Sequence, residues 1–315
     1  MSQSKGQQSY VMIGEEAVAF GTVATAGFVL PVISSSVSAG RNKSTPQLIR
    51  DDRNPAAPFD GNFTVGGDIV VPMDSIAFWY WLQMMFGDPA TTGAESPYAH
   101  KFTVPTSQPS FSLEHGHTDI AKYTRFVGCK ISRWAMAVGG DGELISTLSV
   151  VGATPSLQTS SFDGTPTTAS FSRLSNMHAS LKEGGGAITT AREVAFNVDF
   201  GLDTDQHTIG DSGSLGDIPE GTIAVTGSLT TLFEDQTLLT KALASTESSL
   251  EITVSASASS SLVIEIPELQ YELATPAIDG PKGLLCRLNF VGYYSDDADE
   301  SAIVCTLSNT EAHGE

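Results

Sequence analysis

Cysteine is scarce in this chain: three in 315 residues, at Cys129, Cys286 and Cys305. Their wide spacing and odd number exclude a disulfide framework and give no metal-ligand pattern, so they read as small apolar residues of a reducing compartment. Basic charge is scarce too, with 16 Lys plus Arg against 36 Asp plus Glu and a formal charge of -20. Chains that grip nucleic-acid phosphate carry basic patches, so this balance argues against tight phosphate binding. Solubility, adaptation to salt and a functional acidic surface account for it equally well. Long apolar runs are missing. The most apolar window, 69–86, contains Pro72, Asp74 and Gln83 and is too interrupted for a membrane span. Residues 1–10 are polar and show no signal peptide. The expectation is a chain made in a cytoplasm, without a membrane anchor. Hydrophobic residues make up 40% and mean hydropathy is +0.01, which suits a globular chain. Its length allows two domains with sizeable cores.

What is present is an internal echo. Residues 61–86 read GNFTVGGDIVVPMDSIAFWYWLQMMF, and 221–245 read GTIAVTGSLTTLFEDQTLLTKALAS. Aligned without a gap, Gly67 meets Gly227, Ile69 meets Leu229, and Asp74 and Ser75 meet Glu234 and Asp235. Each stretch alternates polar and apolar residues, passes a glycine and ends in an apolar run opened by an acid. This predicts a strand and then a helix with a carboxylate in its first turn. Downstream, Leu148-Ser149-Val150-Val151-Gly152 is echoed by Leu288-Asn289-Phe290-Val291-Gly292. Gly140-Asp141-Gly142 and Asp279-Gly280 are the turns before them. A duplicated β-rich unit is usually an architectural device, which favours assembly over catalysis.

Along the chain, 1–30 reads as a polar arm and 38–44 as a polar loop. Strands are expected near 62–71, 99–104, 110–114, 126–138 and 143–151, the last two as a hairpin around the glycine turn. Later strands are expected near 194–200, 221–229, 250–254, 261–267, 269–273, 284–293 and 302–307, with a Gly/Asp/Ser-rich loop at 201–217. Helices are expected at 73–85 and 233–244. The first is apolar on almost every face, as a helix buried on all sides must be. The Ser/Thr/Pro-rich stretch 154–168 is the best domain linker. The division is therefore a first unit at 1–153, a linker at 154–168 and a second unit at 169–315.

Catalytic signals are weak. His115-Gly116-His117-Thr118-Asp119 has the H-x-H-x-D spacing that binds zinc in metallo-β-lactamase-type hydrolases, but Ile120 stands where that phrase continues with His. His178 has no supporting pattern around it. A nucleophile elbow and a Walker loop are both missing, and Gly184-Gly185-Gly186 reads as a flexible turn. The carboxylates Asp51-Asp52, Asp296-Asp297 and Asp299-Glu300 lack the spacing and glycine of a calcium loop. Trp79-Tyr80-Trp81 fits a core or interface better than a base-stacking platform. No enzyme and no cofactor is expected.

The order of these phrases resembles the major tail tube proteins of long-tailed, siphovirus-type bacteriophages. The matching residues are Glu15-Glu16 with Phe20-Gly21-Thr22, Leu30-Pro31, Gln47-Leu48-Ile49-Arg50, and Gly61 with Val65-Gly66-Gly67. They continue with the apolar helix from Asp74 to Phe86, Phe111-Ser112-Leu113-Glu114, and the hairpin containing Gly128, Gly140 and Gly152. The resemblance covers most of the first unit, and the echo extends it to the second. Pro72 departs from it, where the second unit has Leu232, but a proline suits a helix start. The resemblance implies a mainly β fold of two tandem tail-tube-type β-sandwich or barrel units, each flanked by one α-helix. It implies subunits that close into rings with a β-barrel lumen, stacked into a tube that conducts DNA without binding it specifically. Partners would be the chain itself, a tape-measure protein, and tail terminator and tip proteins, in a virion and away from membranes. Three copies with pseudo-sixfold symmetry are favoured over six copies carrying the second unit as decoration. The alternative is a non-catalytic β-sandwich that binds or decorates a virion or cell surface.

Residue expectations follow. Trp79, Trp81, Leu82 and Met85 should be buried in the core or at a subunit contact. Phe20, Phe28, Leu30, Leu48 and Ile49 should anchor a ring-to-ring arm and loop that reach across to adjacent subunits or the next ring, because polar segments with isolated apolar residues order against a neighbour. Asp141, Glu143, Glu265 and Glu268 are candidates for an acidic lumen, which would keep DNA from sticking.

Overall fold

The computed structural model describes residues 3–278, 280–294, 296 and 299–313. Asp279 of the second glycine turn and Asp297 of one acidic pair lie outside the described residues. The fold is mainly β. The first part of the chain forms β1 (Ser9–Glu15), β2 (Phe28–Leu30), β3 (Ser34–Ser35), β4 (Ser38–Ser44) and β5 (Phe59–Pro72), then helix α1 (Phe78–Phe86). There follow β6 (Ala90–Thr92), β7 (Tyr98–Thr103), β8 (Phe111–His117), β9 (Lys122–Gly139), β10 (Ile145–Gly152) and β11 (Thr154–Gln158). The rest forms β12 (Thr167–Thr168), β13 (Ala179–Glu183), β14 (Gly186–Ala187), β15 (Ala191–Asp199) and β16 (Ala224–Leu232), then helix α2 (Thr237–Leu243). The chain ends in β17 (Ser248–Ser257), β18 (Ser260–Tyr271), β19 (Leu285–Tyr293) and β20 (Val304–Asn309). Among the described residues no helix is long and apolar enough to cross a membrane.

One layer is a continuous antiparallel path in the order β4, β5, β10, the end of β9, β15, β16, β19 and the end of β18. The short β3 also lies on β5. The beginnings of β9 and β18 belong to the opposite side of the core. There β9 pairs with β8 and β11, and β1, β2 and β12 extend it. There too β18 pairs with β17 and β20, with β13 beyond β17 and β7 beyond β20.

The neighbours recur. Ile69 opposes Leu148 and Gly67 opposes Val150, while Leu229 opposes Leu288 and Gly227 opposes Phe290. Lys43 opposes Asp60, and Leu202 forms a bridge with Glu220. Ile13 opposes Leu113, and Leu181 opposes Ile252. The paired glycines have one cause. A Cβ on Gly67 would stand 2.6 Å from the Ser36 carbonyl oxygen, and one on Gly227 would stand 2.5 Å from that of Ala195. In both places the adjoining strand passes too close for any side chain.

Helix α1 is apolar at every position but the half-buried Gln83 because the rest of it is enclosed. Trp81 meets Phe111 at 6.5 Å between ring centroids, Phe78 and Phe86 meet Trp134, and Trp79 stacks on His313. The helix starts at Phe78 and not at Met73, because the Asp74 carboxylate accepts the N–H groups of Ile76 and Ala77 ahead of it. Asp235 likewise accepts the N–H of Thr237 at the start of α2, which is shorter than 233–244. The acids act as caps outside the helix and not as first-turn residues.

Burial pushes the Asp74 carboxyl up to about 7, against the backbone N–H groups that favour its charge. A raised carboxyl contributes stability that is fully present below its ordinary value of 3.8 and is lost as pH climbs through about 7. Asp74→Asn keeps the acceptor oxygen and removes the titration. We expect urea midpoints of this variant to gain on those of the parent as pH rises across that window. Parallel pH profiles for the two proteins would show that Asp74 stays ionised.

Three segments differ from the sequence reading. Residues 9–15 are β1, with Val11, Met12 and Ile13 buried, and so belong to the fold and not to a free arm. Their short apolar run, flanked by polar residues, hid a strand buried on both faces. Residues 38–44 are β4, exposed at every position. A strand that buries neither face shows no alternation and reads as loop. Residues 154–168 lie against the first part of the chain: β11 pairs with β9, and Asp163 accepts the N–H of Gly27.

Candidate subunit interface and channel face

The long layer turns one side to the core and the other outward. On β9, Trp134, Met136 and Val138 are buried, while Arg133, Ala135 and Ala137 point the other way. On β15, Val194, Phe196 and Val198 are buried, and Glu193, Ala195, Asn197 and Asp199 alternate with them. The outer face holds a hollow of about 680 Å³ lined by Arg133, Thr147, Asn197, Ser228, Arg287 and Asn289, among others. Its side chains are tied together: Arg133 donates to Asn197, Ser149 to Asp68 at 2.6 Å, and Asn289 to Glu272 at 3.1 Å. The Arg133–Asn197 bond crosses the join between β9 and β15, where the two parts of the chain meet in one sheet. Asp68, Glu193, Asp199 and Glu272 outweigh Arg133 and Arg287, so this face is polar and net acidic.

Both ends of the layer are exposed. Beyond β5, no residue of 38–60 is buried. At the other end, the chain runs on after β18: the Glu272 N–H donates to the Asn289 carbonyl, and 273–278 then lie outside any strand. Such edges present backbone donors and acceptors to any strand that fits them.

Three of the four acids expected in a lumen lie off this face. Asp141 and Glu143 belong to the turn between β9 and β10, where Glu143 pairs with Arg173 at 3.0 Å. Glu265 lies in the first part of β18, opposite Glu251 and Val304 in the other layer. Glu268 is the exception: it opposes Tyr293 in the end of β18, alternates to the same face as Glu272, and accepts the N–H of Asp296. Asp68, Glu193, Asp199 and Glu272, which do lie on this face, are not among the sequence expectations, although each follows or precedes a buried apolar residue.

Trp79, Trp81, Leu82 and Met85 are all buried inside this one chain. Phe20 packs by Ala153, Leu215 and Ile218, the Phe28 ring lies tilted against Tyr80 with centroids 4.2 Å apart, and Leu30 is buried. Leu48 is 61% exposed and Ile49 105%. His115 bonds with Ser35 and His117 with Ser9, while Asp119 accepts from Ser4 and from the Lys5 N–H. Among the described residues no group of three His, Cys, Asp or Glu is placed to hold a metal ion. The three cysteines are free and buried. Gly184-Gly185 makes the turn between β13 and β14.

A broad sheet with a hydrogen-bonded polar face, a closed aromatic core behind it and exposed strand edges defines a structural β protein. The family model described as phage tail tube protein matches residues 6–292, and the chain belongs to that family. Its place is the virion tail, and its role there is structural. A comparison with curated proteins gives no match.

Proposed function

We propose that the chain is a tandem of two tail-tube units, divided near 154–168, and that three copies close into one ring with pseudo-sixfold symmetry. The polar face of the long layer lines the channel, and stacked rings form the tube through which DNA passes. The observation that carries this reading is the antiparallel join of β9 to β15, seven residues long from Arg133 to Gly139. On this reading the two units lie side by side in one layer, as neighbouring subunits of a ring would. A hexamer with the second unit as outer decoration has no use for that join. Closing the layer also removes the exposed edges, which is how β assemblies avoid uncontrolled pairing.

An acidic wall of short side chains suits passage, because it offers DNA few cations to exchange for counterions. The tape-measure protein inside and the terminator and tip proteins at the ends are the remaining partners of this reading. Electron microscopy of the purified chain, with native mass measurement of rings, tests it. Rings of three chains are the expected result. Rings of six would overturn the pseudo-sixfold arrangement, and a chain that stays monomeric at high concentration would overturn the tube reading.

A further inference from the structure

Resting on that ring, we infer that residues 45–58 clamp the neighbouring copy within the same ring, over Val291 and Tyr294 of its second unit. The chain already contains the template. After β15, Leu202 and Glu220 extend the hairpin toward β16, and the tip beyond them bends over the first unit. There Leu215 and Ile218 pack on Phe20, Val151 and Ala153. Lys130 donates to the Ile218 carbonyl at 2.8 Å, and the Phe63 N–H donates to that of Gly213 at 2.8 Å. Arg41 reaches the Ser212 carbonyl at 3.1 Å. This tip is therefore held by the unit next to its own.

The hairpin of β4 and β5 is its counterpart. Lys43 opposes Asp60 as Leu202 opposes Glu220, and both acids lie at the same distance from their glycines, Gly67 and Gly227. Among the described residues, none of its tip residues, 45–58, is buried. It carries Leu48 at 61% and Ile49 at 105% exposure. The surface that would receive it is also solvent-exposed. Val151, covered by the first clamp, corresponds to Val291, which is 45% exposed, and Tyr294 close by is 55% exposed. Ring closure brings a copy's β4 edge beside the next copy's second unit. That sets Leu48 and Ile49 over Val291 and Tyr294 as Leu215 and Ile218 sit over Val151. The exposed loop is thus a contact within a ring, the first of the two neighbours that the sequence left open.

The test mixes two full-length chains, one carrying Ile49→Cys and the other Val291→Cys, with a short bis-maleimide. The native cysteines are buried and are spared. Crosslinked heterodimers in isolated, unstacked rings are expected. Crosslinks that appear only in stacked tubes, or none in rings that form normally, overturn the clamp and leave the ring intact. Failure of the parent chain to form rings at all overturns the ring reading, and the clamp with it. A second variant replaces 46–57 with a two-glycine turn, which removes no buried residue. Its monomer should unfold at the parent's urea midpoint, while ring assembly should need at least about tenfold more protein. Unchanged ring assembly would likewise overturn the clamp.

Discussion

A chain carrying both Ser38→Cys and Ala274→Cys is expected to oxidise, in the assembled ring, to a covalent ladder that ends at three chains. The register comes from the join inside the chain, where Asn197 opposes Ala135 and Val198 opposes Trp134. Ser38 lies against Gly66 as Asn197 lies against Thr226, each one residue before its paired glycine. Glu272 meets Asn289 as Arg133 meets Ser149, so two residues on, Ala274 takes the place of Ala135. Ser38 of one copy then opposes Ala274 of the next, both on the channel face.

Hydrogen-bond direction agrees with that register. The Phe200 N–H donates to the Ser132 carbonyl across the inner join, so alternate residues of β9 and β15 turn toward each other. At the free edges, the Ser36 N–H turns inward to Asp68 and the Glu272 N–H inward to Asn289. By alternation Val37 and Ala39 face outward on one edge, and Leu273, Thr275 and Ala277 on the other. Pro276, which has no N–H to give, falls on the inward side, where a ring contact loses nothing. Ser38 and Ala274 form a non-hydrogen-bonded pair, with Cα atoms about 4.5 Å apart, within disulfide range. Pairing Ser38→Cys with Thr275→Cys should fail, since those side chains leave opposite faces. Non-reducing gels read the result. Equal yields from the two pairs, or a ladder that passes three chains, would rule out this closure.

The sequence shows recurring local phrases more clearly than it shows which strands pair. Gly67 and Gly227 were visible as a pair, and the cause, a neighbouring backbone at 2.6 Å and 2.5 Å, is local and strict enough to leave a mark in composition. Helix α1 was visible for the same reason: a segment enclosed on every side must be apolar on every side. β1 and β4 were hidden for opposite reasons. One is buried on both faces and the other on neither, and strand alternation marks only strands that bury one. The polar outer face of the long layer is not legible in the sequence, because it is defined by pairing. Net charge suggested an acidic wall, but Glu265 and Asp68 look alike in sequence. Only the strand order places one in each layer. The His115-Gly116-His117 phrase is the converse case, in which a suggestive spacing proves to be two neighbours on one face of β8, each bonded to a serine.

Trp81→Ala should lower the unfolding free energy of the isolated chain by about 3–5 kcal/mol, as loss of a buried aromatic does. Trp81 is 1% exposed, and its ring sits edge-on to Phe111, whose own strand pairs with β1 and β9. The cavity would open between α1 and the layer away from the channel, where backbone ladders restrain collapse, so the upper part of the range is expected. Ile49→Ala gives the opposite profile. With 105% of its surface exposed, Ile49 contributes no buried contact to the monomer, and its loss should leave the urea midpoint unchanged while weakening ring assembly. The pair separates folding from assembly in one chain. Equal midpoints for Trp81→Ala and the parent would place α1 outside the core, and a lowered midpoint for Ile49→Ala would make the loop part of the monomer fold. Trp81 then acts through the stability of each subunit, and Ile49 only through its neighbour.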